Sequence, residues 1–174
     1  MTTWNRVTAF IDGISDATAA VIIYLVVALT LVLGYEIIAR YAFNSPTKWA
    51  FDISYMLGGT FFLFGQAYAL RHRRHVRIDI FSSRFSTRTQ AAIDVICYLV
   101  FFFPLWIGML VYLYPYVMFS WSVQERSMQS YWQPLIYPFK TLMPIGLFLL
   151  VLQGVADFVR KLMTLLGKEP VHES

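Results

Sequence analysis

Four long stretches of this 174-residue chain hold no Asp, Glu, Lys or Arg at all. Ala17–Tyr35 lies between Asp16 and Glu36, and Ile53–Leu70 between Asp52 and Arg71. Val95–Gln124 lies between Asp94 and Glu125, and Thr141–Ala156 between Lys140 and Asp157. Charged residues are 14% of the chain and hydrophobic residues 58%, whereas a soluble domain carries about 25% charged residues. The alternative, a soluble all-helical bundle, is disfavoured, because its helices should carry polar stripes and these stretches do not. Proton relays and ion pathways use acids and bases inside the membrane, so the chain lacks the usual equipment for moving a solute alone. A self-assembling channel is excluded for want of a polar stripe at helical spacing.

Cysteine and histidine are equally scarce. The single Cys97 permits no intrachain disulfide and no C-x-x-C redox centre, and reads as a small apolar packing residue. The three histidines, His72, His75 and His172, fall outside the stretches, where they cannot serve as axial ligands to a membrane-embedded haem. His72 and His75 stand three apart, but the arginines beside them oppose a bound cation. No metal, cofactor or nucleic acid is expected. The N-terminus does not read as a cleaved signal peptide, since Arg6 is its only base, Asp12 and Asp16 follow, and no small-residue cleavage site ends a short apolar core. The first stretch is therefore expected to remain as an anchor, and residues 1–174 to form one membrane domain without internal repeats.

A bilayer core of about 30 Å takes about 20 residues of helix, and lipid leaves no other open-chain way to satisfy the backbone. The expected fold is thus an all-α integral membrane protein with four transmembrane helices near 17–39, 50–70, 90–120 and 138–160. Ten of the fourteen Lys and Arg residues fall on one side of this pattern: Arg6, the 71–88 loop, and Arg160, Lys161 and Lys168. The opposite side has Arg40, Lys48, Arg126 and Lys140. The positive-inside rule places both termini and the middle loop in the cytoplasm.

In that loop, Arg71, Arg73, Arg74 and Arg77 read as residues for orientation and for contact with anionic lipid, at about 1 kcal/mol each. Ile78, Phe81 and Phe85 recur at helical spacing among polar residues, the pattern of a short interfacial helix. Thr87-Arg88-Thr89-Gln90 has capping-box form and should start the third helix near Arg88. From Arg88 to Trp121 a straight helix would reach about 50 Å; Pro104 and Pro115 should bend it. Tyr112, Tyr114, Tyr116 and Trp121 then make an aromatic belt at the outer surface.

On the outer side, Glu36 and Arg40 are four apart in the order that favours a helical ion pair, with Trp49 as a membrane-edge anchor. A second outer segment runs from Gln124-Glu125-Arg126-Ser127 through Ser130-Tyr131-Trp132-Gln133-Pro134. Its aromatic and proline content makes a stiff apolar surface that is either sunk in headgroups or covered by a protein. Ser54 with Gly58, and Gly65 with Ala69, are small residues four apart. They suit close helix approach, within the four helices in preference to a partner.

The chain resembles the small permease (Q-type, DctQ-like) subunit of tripartite ATP-independent periplasmic (TRAP) transporters. The resemblance runs over nearly the whole length and rests on weak motifs in order: Glu36-x3-Arg40-Tyr41-x-Phe43, Trp49-x2-Asp52, His75-Val76-Arg77-Ile78-Asp79, and Pro144-x-Gly146 to Leu152-Gln153. One departure is Asp52, where the family often has Glu. The resemblance implies a bacterial or archaeal inner-membrane protein working beside two partners. A large TRAP membrane subunit carries the substrate and ion sites, and a periplasmic solute-binding protein captures an organic acid or similar solute. The small subunit would scaffold the first and help dock the second. Glu36, Arg40, Trp49 and Asp52 would shape the periplasmic rim; Glu125, Arg126, Tyr131 and Trp132 would join the docking surface. The alternative from another class is a four-helix membrane enzyme of the glutathione-using type, with the arginine loop supplying anion contacts.

Overall fold

The computed structural model describes residues 3–71 and 87–166. They form α1 (Thr3–Tyr41), α2 (Ala50–Arg71), α3 (Thr87–Cys97), a π-helical turn (Tyr98–Phe102), α4 (Phe103–Ser122) and α5 (Tyr137–Leu165). The interfacial helix expected around Ile78, Phe81 and Phe85, together with Arg73, Arg74 and Arg77, lies outside the described residues.

The chain is an all-α, multi-span membrane protein. Among the described residues, three helical segments are long and apolar enough to cross a bilayer: Val7–Tyr41, Arg88–Ser122 and Tyr137–Leu165. At 1.5 Å per residue the two 35-residue segments reach about 52 Å, which exceeds the hydrocarbon core and demands tilt or projection into water. α2 is not in that set; Tyr55, Gly58, Gly59, Thr60, Gly65, Gln66 and Tyr68 dilute its apolar content.

α1 begins 14 residues before the stretch marked by its lack of charge. The reason is a stripe of Thr8, Ile11 and Ser15, spaced three and four apart and all buried, which lets a polar segment continue as helix against its neighbours. Just before Pro104, where a bend is expected, the helix carries the π turn. Pro104 stands at the start of α4 just after it, and the wider turn accommodates a residue that has no N–H to give. Pro115 and Pro144 sit within α4 and α5.

The helices make a layer in the order α1, α2, α5 and then the α3–α4 rod, with α5 the one element packed on all the others among the described residues. Two glycines explain its centrality. A Cβ at Gly146 would lie 3.0 Å from Leu63 Cβ, and one at Gly154 would overlap the Phe102 ring. These positions let α2 and the π turn close on α5. The small residues expected to do that work are elsewhere: Gly58 has nothing within 4 Å of its Cβ position, and Gly65 meets only Ile22 at 4.0 Å. Ser54 contributes a buried hydroxyl with no hydrogen-bond partner, and Ala69 is half-buried. The close contacts fall one helical position away, as at Gly59 beneath Phe139, because the face that meets α5 is rotated from the stripe the spacing marked.

Candidate interaction surface

Two polar clusters lock the layer at its two ends. At the end bearing the termini, Asp12 receives Gln153 Nε2 at 3.1 Å and pairs with Arg160. Ser15 Oγ donates to Gln153 Oε1 at 2.7 Å. Arg71 Nη1 donates to the Asp12 carbonyl at 2.8 Å and pairs with Asp16. Gln153 is completely buried, so its amide is satisfied on both sides at no cost in exposure. On the other flank of α5, Tyr98 Oη donates to Asp157 at 2.7 Å, and Lys161 Nζ reaches Asp94 at 3.0 Å. Arg71, expected to serve orientation and lipid contact, joins α2 to α1 through Asp12 and Asp16.

The end bearing the α1–α2 and α4–α5 connections is built around three carboxylates. Glu36 takes Arg40 Nε at 3.0 Å, the expected pair, and also the Thr47 amide at 3.0 Å. Thr47 Oγ1 donates to Glu36 and accepts from the Ala50 amide at 3.3 Å, capping the start of α2. Trp49, the expected membrane anchor, stacks on Tyr35 with ring centroids 5.8 Å apart. The connection turns at Asn44, whose φ of 50° is left-handed.

Asp52 is buried in the first turn of α2. It accepts the Ser127 hydroxyl at 2.6 Å and that of Ser130. Those hydroxyls in turn accept the amides of Gln129 at 3.3 Å and Trp132 at 3.2 Å. The loop is closed at its base by an antiparallel bridge between Arg126 and Leu135, with Ser127 N donating to Pro134 O and Ile136 N to Glu125 O, both at 2.9 Å. Gln124 and Gln133 turn the chain at the two sides with φ of 45° and 46°. Glu125 is held by Lys140 and by Ser120 Oγ at 2.7 Å, and the Lys140 ammonium sits 4.3 Å from the Tyr116 ring centroid. The Lys140 and Ser120 hydrogen bonds hold the Glu125 carboxyl below the ordinary carboxylate range. The result is a stapled knuckle whose tip residues Met128 and Tyr131 are each 95% exposed.

Residues 29–164 match the family model described as "Tripartite ATP-independent periplasmic transporters, DctQ component". The chain belongs to the DctQ family. It is a TRAP transporter small permease subunit, a transporter component and not an enzyme, which removes the glutathione-type alternative. A search of curated proteins gives no significant match.

The matched span of this DctQ-family chain takes in the whole knuckle, Glu36 and Asp52. It leaves out Asp12, Ser15 and Asp16, so the α1 members of the opposite cluster lie before it. Among the rim and docking candidates, the structure joins Asp52 to the loop carrying Arg126, Tyr131 and Trp132, and keeps Glu36, Arg40 and Trp49 in a neighbouring group. Asp52 is a buried internal fastener, and Glu125 is tied to Lys140 and Ser120 while 34% of its side chain stays exposed. Sequence reasoning missed the Asp12–Gln153–Arg160 and Tyr98–Asp157 contacts. The visible signal was a charge at each edge of an apolar stretch, but its partner lies up to 148 positions away. Among the described residues no group of three or more His, Cys, Asp or Glu could hold a metal ion. A hollow of about 390 Å³ between α4 and α5, lined by Tyr114, Val117, Met118, Trp121, Thr141 and Pro144, is apolar.

Proposed function

We propose that the chain is the static membrane scaffold of a secondary-active, ion-coupled TRAP transporter that takes up an organic acid or similar solute. It packs beside the large membrane subunit and offers its connecting-loop end to the periplasmic solute-binding protein. In this reading α1, α2, the α3–α4 rod and α5 are four spans of the inner membrane. The excess of Lys and Arg at the other end keeps both termini in the cytoplasm.

The observation that carries the reading is how the charges are used. The acids and bases near the bilayer edges join helices to one another: Asp12 with Arg160, Arg71 with Asp16, Asp94 with Lys161, Glu125 with Lys140. Groups that move an ion or solute face a pathway; these are spent on holding a layer rigid, as a scaffold requires. Extracting the tagged protein from its native membranes in mild detergent and identifying its companions by mass spectrometry tests this. A stoichiometric large polytopic membrane protein is expected. Recovery of the chain alone under conditions that keep other membrane complexes intact would refute the scaffold role.

A further inference from the structure

The end of the layer that carries the knuckle is electrostatically one-sided. Seven charged residues stand there: Glu36, Asp52 and Glu125 against Arg40, Lys48, Arg126 and Lys140. All three acids are consumed within the chain. Asp52 is buried beneath two serine hydroxyls, Glu36 is only 13% exposed between Arg40 and Thr47, and Glu125 is held by Lys140 and Ser120. Lys140 is buried beside Glu125, whose side chain keeps 34% of its surface exposed. Apart from the paired Glu125, the charges that face water are cationic. Arg40 keeps 53% of its side chain exposed despite its pair; Lys48 is exposed, and exposed Arg126 makes one long 3.4 Å hydrogen bond to the Gln133 carbonyl.

Lys48 stands four residues before Asp52, and Arg126 adjoins Ser127, so the Asp52–Ser127 hydrogen bond ties the segments carrying both cations to the loop whose tip bears Met128 and Tyr131. We infer that this end is a positively polarised docking surface, fitted to a soluble protein that presents carboxylates around an apolar spot. The inference rests on the docking role proposed above and names the chemistry of the partner: the solute-binding protein should meet this chain with an acidic rim. A lipid headgroup is the weaker occupant. The aromatic belt of Tyr112, Tyr114, Tyr116 and Trp121 belongs to the last turns of α4, and the knuckle follows it, beyond the headgroup level that such a belt marks. Opposed charge at a rim acts mainly by steering encounter and is weakened by salt.

The test is binding of the purified solute-binding protein that supports uptake through the same transporter to the assembled membrane complex in nanodiscs of neutral lipid. Sodium chloride is raised from about 50 to about 500 mM. Affinity should fall roughly tenfold or more, and the double variant Lys48→Glu with Arg126→Glu should bind at least about tenfold more weakly at low salt. The charge-reversed complex must still assemble with the large subunit. Tyr131→Ala should weaken binding and leave its salt dependence in place. Binding that ignores both salt and charge reversal, yet falls with Tyr131→Ala, overturns the charge assignment alone and keeps the docking role. Salt dependence seen only with anionic lipid in the discs overturns it in favour of headgroup contact. No binding by the wild-type complex at any salt overturns the docking role itself.

Discussion

The carboxylate of Asp52 and the hydroxyl of Ser127 lie 2.6 Å apart although 75 positions separate them in the chain, and both residues are almost fully buried. The start of α2 and the tip-bearing loop after α4 are therefore one mechanical unit. The hydrogen bonds to a charged group are of the stronger kind, and the two serines pass them on to loop amides.

Asp52→Ala should leave both serine hydroxyls and the loop amides they serve without their anchor. The expected cost is about 1–3 kcal/mol, read as a lower thermal midpoint in detergent. Faster proteolysis confined to residues 123–136 should accompany it. Asp52→Glu should recover part of the loss, since the longer side chain keeps the acceptor but displaces it. A thermal midpoint and cleavage pattern unchanged in Asp52→Ala would mean that the bridge at Arg126 and Leu135 holds the loop unaided.

Gly154→Val should be among the most damaging single changes in the chain, because Phe102 occupies the space a side chain would need. Overpacking of this kind costs about 1–3 kcal/mol. Gly58→Ala, where nothing lies within 4 Å, should be tolerated within about 0.5 kcal/mol. Paired thermal melts of the two variants check the contrast, and similar losses in both would contradict the packing described for α5.

That contrast marks the boundary of what the sequence makes legible. Helix placement could be read because it depends on composition within one segment: three charge-free runs lie inside α1, α2 and α5, and the fourth overruns the α3–α4 rod by only Val123 and Gln124. Glu36 with Arg40 could be read because a helix fixes the geometry of residues four apart. Which glycine meets a neighbour could not, since that depends on how α2 is rotated against α5. Spacing alone favoured Gly58 and Gly65 over Gly59, Gly146 and Gly154. The same holds for the candidate site. Its residue types were visible, but the roles of Asp52 and Glu125 as internal fasteners depend on Ser127 and Lys140, which reach them only through tertiary folding.

Asp12→Ala should strand Arg160 and remove an acceptor from buried Gln153. Loss of one partner of a largely buried pair is costly; with both side chains 18% exposed, about 1–3 kcal/mol is expected. The swapped double variant Asp12→Arg with Arg160→Asp should recover part of this if the pair itself is the source. A swap no better than the sum of its two single changes would point instead to Gln153 and Arg71, which share the same carboxylate.

Acid should loosen the knuckle through Glu125. Its carboxyl is held below the ordinary value of 4.5, first by the Lys140 hydrogen bond and then by that of Ser120. A folded-state value below the unfolded one means that the native state binds its proton less readily. The contribution is therefore fully present above about pH 4.5 and lost as pH falls through the folded-state value. Lys140→Met removes the leading cause and should bring the carboxyl back toward its ordinary range. Thermal midpoints measured from neutral pH down to about pH 3 should fall more steeply for the wild type than for Lys140→Met, with the two curves converging at the acid end. Because Glu125 is partly exposed, solvent screens the pair and the separation at neutral pH should be modest. Parallel curves across the whole range would show that Lys140 steadies the loop through its seat on Tyr116 and not through its charge on Glu125.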